Sequence, residues 1–343
     1  MEQKKNITFS DIAKYTHFSK TTISRYFNNP DSLTLENQEI IANALEELNY
    51  KENKVARILA NGKSEFIGII IPNLFYHYYS KMLTQILSTY EIFGYKFLVF
   101  IGNEDEDAER RYINELLAYK IEGLIILSHT IPSQELAGLQ IPIVTIERED
   151  QYVCSVNTDN YMGGIQAASL LARNGCGALI HINAPTDPKR PAYGRIQGFL
   201  DFCREKNMEH RVIYKDFQSN YNQIQQQLSD ALQEMEGSYA GMKKGVFLSS
   251  DTNANAFLNL LIRKYGALPD DFLLMGFDNS PISAEAVIPI STVGQQIDVI
   301  AYEAVSLLVQ QMEERKKRRP VPLTEPVHKI IAPILIRRET TEK

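Results

Sequence analysis

The sequence predicts an N-terminal all-α helix-turn-helix head with a hinge helix, followed by an α/β body of open parallel sheets. Three patterns carry that prediction. Two short amphipathic segments, 7–16 and 19–28, are separated by only His17 and Phe18, and so short a joint forces a sharp corner. A polar stretch at 61–65 then ends the helical part. From Phe66 onward, β-branched runs alternate with helical patterns, the rhythm of a parallel sheet covered by helices on both faces. With 343 residues the chain is too long for one small domain and suits a head plus a larger body.

In the head, Ser10 is placed to N-cap the first helix, with Asp11 in its first turn, and Ser19 to N-cap the second. Ile12, Ala13, Ile23 and Phe27 fall at helical spacing and supply the faces that meet. The opposite face of the second helix, between Ser19 and Asn28, carries Lys20, Thr21, Thr22, Ser24 and Arg25. Short hydrogen-bonding side chains and two cations near a helix N-terminus suit the major groove of DNA. Arginine donates two bonds to guanine, and serine or threonine reaches phosphates or bases. For such a helix taken alone, an ordinary solvated face is the competing reading. Thr34 opens a third helix over 35–48, with Leu35, Ile40, Ile41, Ala44, Leu45 and Leu48 as its expected core stripe, and Asn49 and Tyr50 end it. Residues 1–64 hold nine Lys and Arg against eight Asp and Glu, so recognition there rests on placement more than on bulk charge.

The segments AspIleAlaLys (11–14), SerLysThrThrIleSerArg (19–25), GluLeuAsnTyr (47–50) and ValAlaArgIleLeu (55–59) stand in a recognisable order and spacing. In these, and over essentially its whole length, the chain resembles the LacI/GalR family of bacterial transcription regulators. The resemblance implies that Lys20, Thr21 and Arg25 read bases, and that Ala56 and Leu59 enter the minor groove, Leu59 as an apolar wedge. A core or dimer-packing leucine is the alternative for Leu59. His17 and Asn49 stand where the family usually has glycine; both residue types accept positive φ, so the corners are expected intact. The implied organisation is a head at 1–53, a hinge helix and linker at 54–64, and a two-lobed, periplasmic-binding-protein-like body at 65–343. Its N-lobe is expected at about 65–159 plus 290–320, and its C-lobe at about 160–289 plus 321–340.

Within the body, strands are expected at 66–72, 95–101, 122–127 and 141–146, with a helix from Ser80 to about Phe93 and another opening on the acids after Asn103. A second series begins after Asn157. It places helices near 161–174, 192–207, 219–235 and 252–265, and strands at 178–182, 211–215, 244–248 and 272–277. A helix at 295–315 and last strands near 321–337 come after both series. Two such sheets leave a cleft outside the carboxyl ends of their strands, where a small ligand is expected. Tyr78, Tyr79, Glu147, Arg148, Asp159, Asn160, Arg195, Asp251, Asp278, Asn279 and Gln295 stand at those ends, and Phe247 in a strand. By resemblance, Tyr78, Tyr79, Glu147, Arg195, Phe247, Asp278 and Gln295 occupy effector-contacting positions. Each has a structural alternative: Asp251 reads first as a helix cap, Phe247 equally as core, and Asp159 and Asn160 as a turn. Lys189 and Arg190, beside Arg195, suggest a phosphate contact, against the plainer reading of solvated loop charges.

Hydrophobic residues make up 44% and the net charge is −6, which argues against coating nucleic acid by charge alone. Cys154, Cys176 and Cys203 lack any metal or redox spacing and read as inert thiols of a reducing compartment. The start of the chain reads as free of a signal peptide, and no apolar stretch nears the length of a membrane span, so the expected location is the cytoplasm. No GxSxG, P-loop or HExxH motif occurs, the Gly163–Gly164 pair lacks a dinucleotide fingerprint, and the histidines are scattered; neither an enzyme nor a cofactor or metal is expected. The expected protein is a homodimeric repressor of a carbohydrate operon, holding double-stranded operator DNA and released by a sugar or sugar phosphate. A regulator co-repressed by a nucleobase or a phosphoprotein, and a ligand-binding protein without a DNA role, are the alternatives.

Overall fold

A computed structural model describes residues 7–51, 64–217, 220–321, 323 and 325–342. The chain divides into two compact units, Met1–Lys63 and Ser64–Lys343. The hinge segment 54–60, with Ala56 and Leu59, lies outside the described residues.

In the first unit, helices Phe9–Thr16, Lys20–Asn28 and Leu35–Glu47 enclose a core of Ile12, Ala13, Ile23 and Ile41, with Phe9 stacked on Phe27 at 5.1 Å. The first helix is capped by Thr8, two residues before the expected Ser10. Asp11, three residues after Thr8, accepts from the Thr8 backbone at 2.9 Å and its hydroxyl at 2.6 Å, the reciprocal arrangement of a capping box. Ser19 and Thr34 cap the next two helices by accepting from the backbone of Thr22 and Asn37. His17 and Asn49 take φ of 60° and 47°, so both helices turn out through left-handed residues. The core stripe of the third helix is narrower than expected. Leu35 is 78% and Ile40 40% exposed, because each sits roughly 100° around the helix from the Ile41–Ala44–Leu48 line.

The second unit holds two six-stranded sheets. The first combines β1 (Phe66–Ile71), β2 (Lys96–Ile101), β3 (Gly123–Ile126), β4 (Ile143–Ile146), β5 (Cys154–Thr158) and β11 (His328–Ile331), in the order β11-β5-β4-β3-β1-β2. The second combines β6 (Ala178–Asn183), β7 (Glu209–Tyr214), β8 (Lys244–Leu248), β9 (Phe272–Phe277), β10 (Ser291–Gly294) and β12 (Ile334–Ile336), in the order β12-β10-β9-β8-β6-β7. The central strands are buried over their whole length, which is why they read as unbroken apolar runs. Helix Ile297–Lys316 packs into the core of the first sheet through Ile297, Ile300, Ala304 and Leu308.

The crossing points differ from the expected lobe limits. Residues 290–294 belong to the second lobe, because β10 pairs in parallel with β9, Val293 opposite Phe277. Residues 328–331 belong to the first, because β11 pairs in parallel with β5, Ile331 opposite Thr158. A parallel neighbour needs a long crossover, and helix Ile297–Lys316 provides it. Only β12, antiparallel to β10, returns to the second lobe. The chain therefore crosses between lobes near Asp159, Gln295 and Ala332. Among the described residues no helix is long and apolar enough to cross a membrane. The three cysteines are buried and unpaired, and burial pushes the Cys176 and Cys203 thiols up to about 11 and about 12.

Candidate functional site

A cavity of about 220 Å³ lies between the lobes at the carboxyl ends of the strands. The first lobe lines it with Tyr76, Tyr78, Tyr79, Leu127, His129, Ile146 and Glu147. The second contributes Asn183, Ala184, Ala192, Arg195, Phe217, Ser249, Ser250, Asn253 and Asp278, and Gln295 stands at a crossing. The first body helix runs His77–Ser88, starting three residues earlier than expected, so Tyr78 and Tyr79 sit in its first turn rather than in the preceding loop.

One connected set of hydrogen bonds encircles the cavity. Gln295 Nε2 donates to Asp278 Oδ1 at 2.7 Å, and Gln295 Oε1 accepts from Thr158 Oγ1 at 2.5 Å. The two Glu147 oxygens accept from Thr158 N at 2.6 Å and Asn160 Nδ2 at 2.7 Å. Arg195 Nε donates to Asn160 Oδ1 at 2.6 Å and its Nη1 to the Ser249 carbonyl at 2.9 Å, with Cζ 3.7 Å from the centre of the Phe277 ring. Thus charged groups from both lobes are joined through the residues at which the chain changes lobe.

Local backbone explains how these side chains reach one place. Arg195 is in the first turn of helix Tyr193–Glu205, which presses against helix Asn160–Arg173. A Cβ at Gly164 would lie 2.2 Å from the Arg195 carbonyl oxygen, and one at Gly198 2.0 Å from that of Tyr161, so only glycine allows this approach. The expectation for the Gly163–Gly164 pair was a close helix–sheet contact; Gly163 meets Phe277 and Val293 of the sheet, while Gly164 meets the neighbouring helix. Glu147 and Asp278 hold φ of 59° and 109°, a conformation that is costly for side-chain-bearing residues and turns their carboxylates inward at the ends of β4 and β9.

Burial sets the electrostatics. It pushes the Asp278 carboxyl well above the usual range; Arg195 and the Gln295 hydrogen bond oppose the shift, and Asp251 and Glu147 reinforce it. Burial lifts the Tyr76 phenol to about 12 and raises Tyr78 and Tyr79 as well. His129 is pushed down to about 3 by burial, with Arg148 and Arg190 adding to it, and is therefore neutral near pH 7.

Three sequence expectations are corrected. Phe247 is fully buried away from the cavity, stacked on His181 at 4.4 Å and near Phe199 and Phe277. Its strand neighbours Val246 and Leu248 face the opposite core, as alternation along a strand requires. Asp251 is not the cap of helix Asp251–Tyr265; Ser250 is, accepting from Asn253 N. Asp251 turns inward and accepts from Ser280 N at 2.7 Å, Ser280 Oγ at 3.1 Å and Thr292 Oγ1 at 2.6 Å, holding the loop that carries Asp278. Lys189 and Arg190 are exposed and stand outside the cavity wall. Tyr76, His129, Phe217, Ser249, Ser250 and Asn253 were missed. Ser249 and Ser250 follow β8 directly and obey the same strand-end rule that identified Asp278; Phe217 and Tyr76 sit in loops with no such signal.

In the head, Lys20, Thr21 and Arg25 are exposed on one helix, with Thr22 and Ser24 half-buried beside them. Ser19 and Thr22 are tied by the cap and by a hydroxyl pair at 2.8 Å, and Asn28 Nδ2 donates to Ser24 Oγ at 3.1 Å. A short-cornered helix pair with exposed cations, in one chain with a two-lobed body around a polar cavity, agrees with what family comparison finds. The model of bacterial regulatory proteins of the lacI family matches residues 8–53, and that of periplasmic binding proteins and the sugar-binding domain of the LacI family matches 64–238. A periplasmic binding protein-like domain matches 168–341.

The chain belongs to the LacI family. Family members are DNA-binding transcriptional regulators and not enzymes. This LacI-family chain is 28% identical to a ribose operon repressor of Halalkalibacterium halodurans, over 98% of this chain and 97% of that protein. Its fold matches a crystal structure of the lac repressor dimer bound to operator and the anti-inducer ONPF, with a TM-score of 0.81, 20% identity and coverage of 98% and 99% of the two chains. It also matches a periplasmic binding protein/LacI transcriptional regulator from Alkaliphilus metalliredigens complexed with D-xylulofuranose, with a TM-score of 0.69 and 26% identity over 82% of this chain and all of the other.

Proposed function

We propose that this LacI-family regulator represses a carbohydrate operon and leaves its operator when a sugar occupies the cavity between the lobes. The observation that carries the reading is the ring of hydrogen bonds from Asp278 through Gln295, Thr158, Glu147 and Asn160 to Arg195. Carboxylates, amides and a guanidinium fixed in this way suit vicinal hydroxyls, and Tyr76, Tyr79, Leu127 and Ile146 suit the apolar face of a sugar ring. Names of relatives, a ribose operon repressor among them, point the same way. Two chains pair through their bodies and present two heads to a pseudo-palindromic operator in the cytoplasm, with Lys20, Thr21 and Arg25 reading bases and Ser19, Thr22, Ser24 and Asn28 supporting or touching the backbone. Ala56 and Leu59 act in the minor groove. The sugar works only through its different affinity for two arrangements of the body, one of which disfavours the paired hinges.

A phosphorylated sugar fits less well. Two carboxylates, Glu147 and Asp278, face the cavity, Arg195 already donates to Asn160 and Ser249, and Lys189 and Arg190 stand outside. The test is operator binding by the purified protein, with DNA from upstream of its own gene, in the presence of sugars and their phosphates. Salt-sensitive binding released by one free sugar, and lost in Arg25→Ala and Leu59→Ala, is expected. Failure to bind, with both variants behaving as wild type, would overturn the assignment of the head; tighter binding with a ligand would make the protein co-repressed.

A further inference from the structure

Two polar atoms in the cavity wall have no hydrogen-bond partner among the described residues and are sealed from solvent: the Tyr78 hydroxyl and Asn253 Oδ1. They come from opposite lobes, Tyr78 from helix His77–Ser88 and Asn253 from helix Asp251–Tyr265. A buried polar atom left unpaired is destabilising, so native structures keep few of them. Their neighbours in the wall are, by contrast, well bonded: Asp278, Glu147 and Arg195 each have a named partner. Tyr78 cannot relieve its position by ionising, because burial and the charges of Glu147 and Asp278 hold the phenol neutral. It is therefore a neutral hydroxyl, donor and acceptor at once, across from an amide carbonyl that can only accept. Both are met by ligand hydroxyl groups.

Size narrows the ligand. The cavity of about 220 Å³ falls below the roughly 300–1,000 Å³ of sites that enclose drug-sized ligands. It encloses one sugar ring, and a second ring would project from the cleft without contacts to these two atoms.

We infer that the effector is a free monosaccharide whose hydroxyls are read by Tyr78 and Asn253, one from each lobe, making this pair the specificity determinant of the site. The inference rests on the sugar reading of the cavity. It also supplies the differential affinity that reading needs, since only a body with both lobes against the sugar satisfies both atoms.

The test is titration calorimetry and thermal melting of the full-length protein with D-ribose, D-glucose and D-fructose, their singly deoxygenated analogues, and sucrose and cellobiose as two-ring probes. One monosaccharide is expected to bind at least about tenfold more tightly than either disaccharide. Tyr78→Phe and Asn253→Ala are each expected to weaken it about tenfold, the size of one lost buried hydrogen bond, while the ligand-free melting temperature holds or rises because an unpaired buried atom has been removed. Each variant also loses wild type's discrimination against one particular deoxy analogue. A disaccharide that binds equally or better overturns the inference and leaves the sugar reading standing. So does unchanged affinity and discrimination in both variants, or a ligand-free melting temperature that falls in both. If no sugar in the panel binds while operator binding is intact, it is the sugar reading itself that fails.

Discussion

The two walls of the cavity are built differently. The first lobe contributes three tyrosines from residues 76–79 with Leu127 and Ile146, a largely apolar and aromatic surface. The second contributes Arg195, Ser249, Ser250, Asn253 and Asp278, a largely polar surface gathered from the ends of several strands and the starts of two helices. Their supports differ too. Under the polar wall, the buried Asp251 pins the Asp278–Ser280 loop through Ser280 and Thr292, and Arg338 donates to Asn279 Oδ1 at 2.8 Å and the Ile290 carbonyl at 2.9 Å. The aromatic wall is held by ring contacts, Tyr78 against Tyr79 at 5.3 Å and Tyr76 against Tyr79 at 6.5 Å, both edge-on. One wall supplies contact area and tolerates small changes; the other fixes orientation and does not.

That division orders the expected effects. The largest belongs to Asp278→Asn, which keeps the side-chain shape and tolerates positive φ but removes the charge. Sugar affinity measured by calorimetry falls on the order of 100-fold, as for loss of hydrogen bonds to a charged group. A loss below threefold would mean that the polar wall does not orient the ligand. Next is Tyr79→Ala, expected to weaken binding roughly tenfold, with Tyr79→Phe close to wild type because ring area matters there rather than the hydroxyl. Equal losses in the two variants would erase the contrast between the walls.

A smaller effect is carried by pH. An unfolded aspartate titrates near 3.8, and burial lifts Asp251 to about 7 against the pull of Thr292, Ser280 and Arg338. Below about pH 4 both states hold the proton. Between about 4 and about 7 the folded state keeps it while the unfolded chain releases it, so this group's contribution to stability falls through that window and levels off above it. The melting temperature of wild type is therefore expected to decline relative to Asp251→Asn from pH 4 to 7; parallel curves would show that Asp251 is ionised throughout. The smallest effect is expected of Lys189→Ala with Arg190→Ala, where affinity for a free sugar stays within about twofold, since surface charges are screened and neither residue lines the wall. A larger loss would extend the polar wall into the 186–194 loop.

Much of this molecule is written locally. The His17–Phe18 corner, the Ser19 and Thr34 caps and the exposed face of Lys20, Thr21 and Arg25 depend on residues three or four apart, and helical spacing alone brings them together. The buried strands are equally plain as runs such as IleGlyIleIleIle and LeuLeuMetGly, and strand-end reasoning places Glu147, Arg195, Asp278 and Gln295 correctly at the cavity. Where local reading falls short, a competing partner decides. Asp11 draws the cap back to Thr8, and the half-turn between neighbouring strand positions sends Phe247 into the core beside His181. Asp251, which looks like a cap, is drawn inward by Ser280 and Thr292, residues about thirty and forty positions away.

Local chemistry thus determines which segments form helices and strands, and which helix shows its polar face, because those outcomes depend on near neighbours. The lobe to which β10 and β11 belong, the closing of the Asp278–Gln295–Thr158–Glu147–Asn160–Arg195 ring, and the placing of Tyr78 opposite Asn253 are decided by the tertiary structure alone. They join positions more than a hundred residues apart, and only packing two sheets through three crossings of the chain brings such positions within hydrogen-bonding distance.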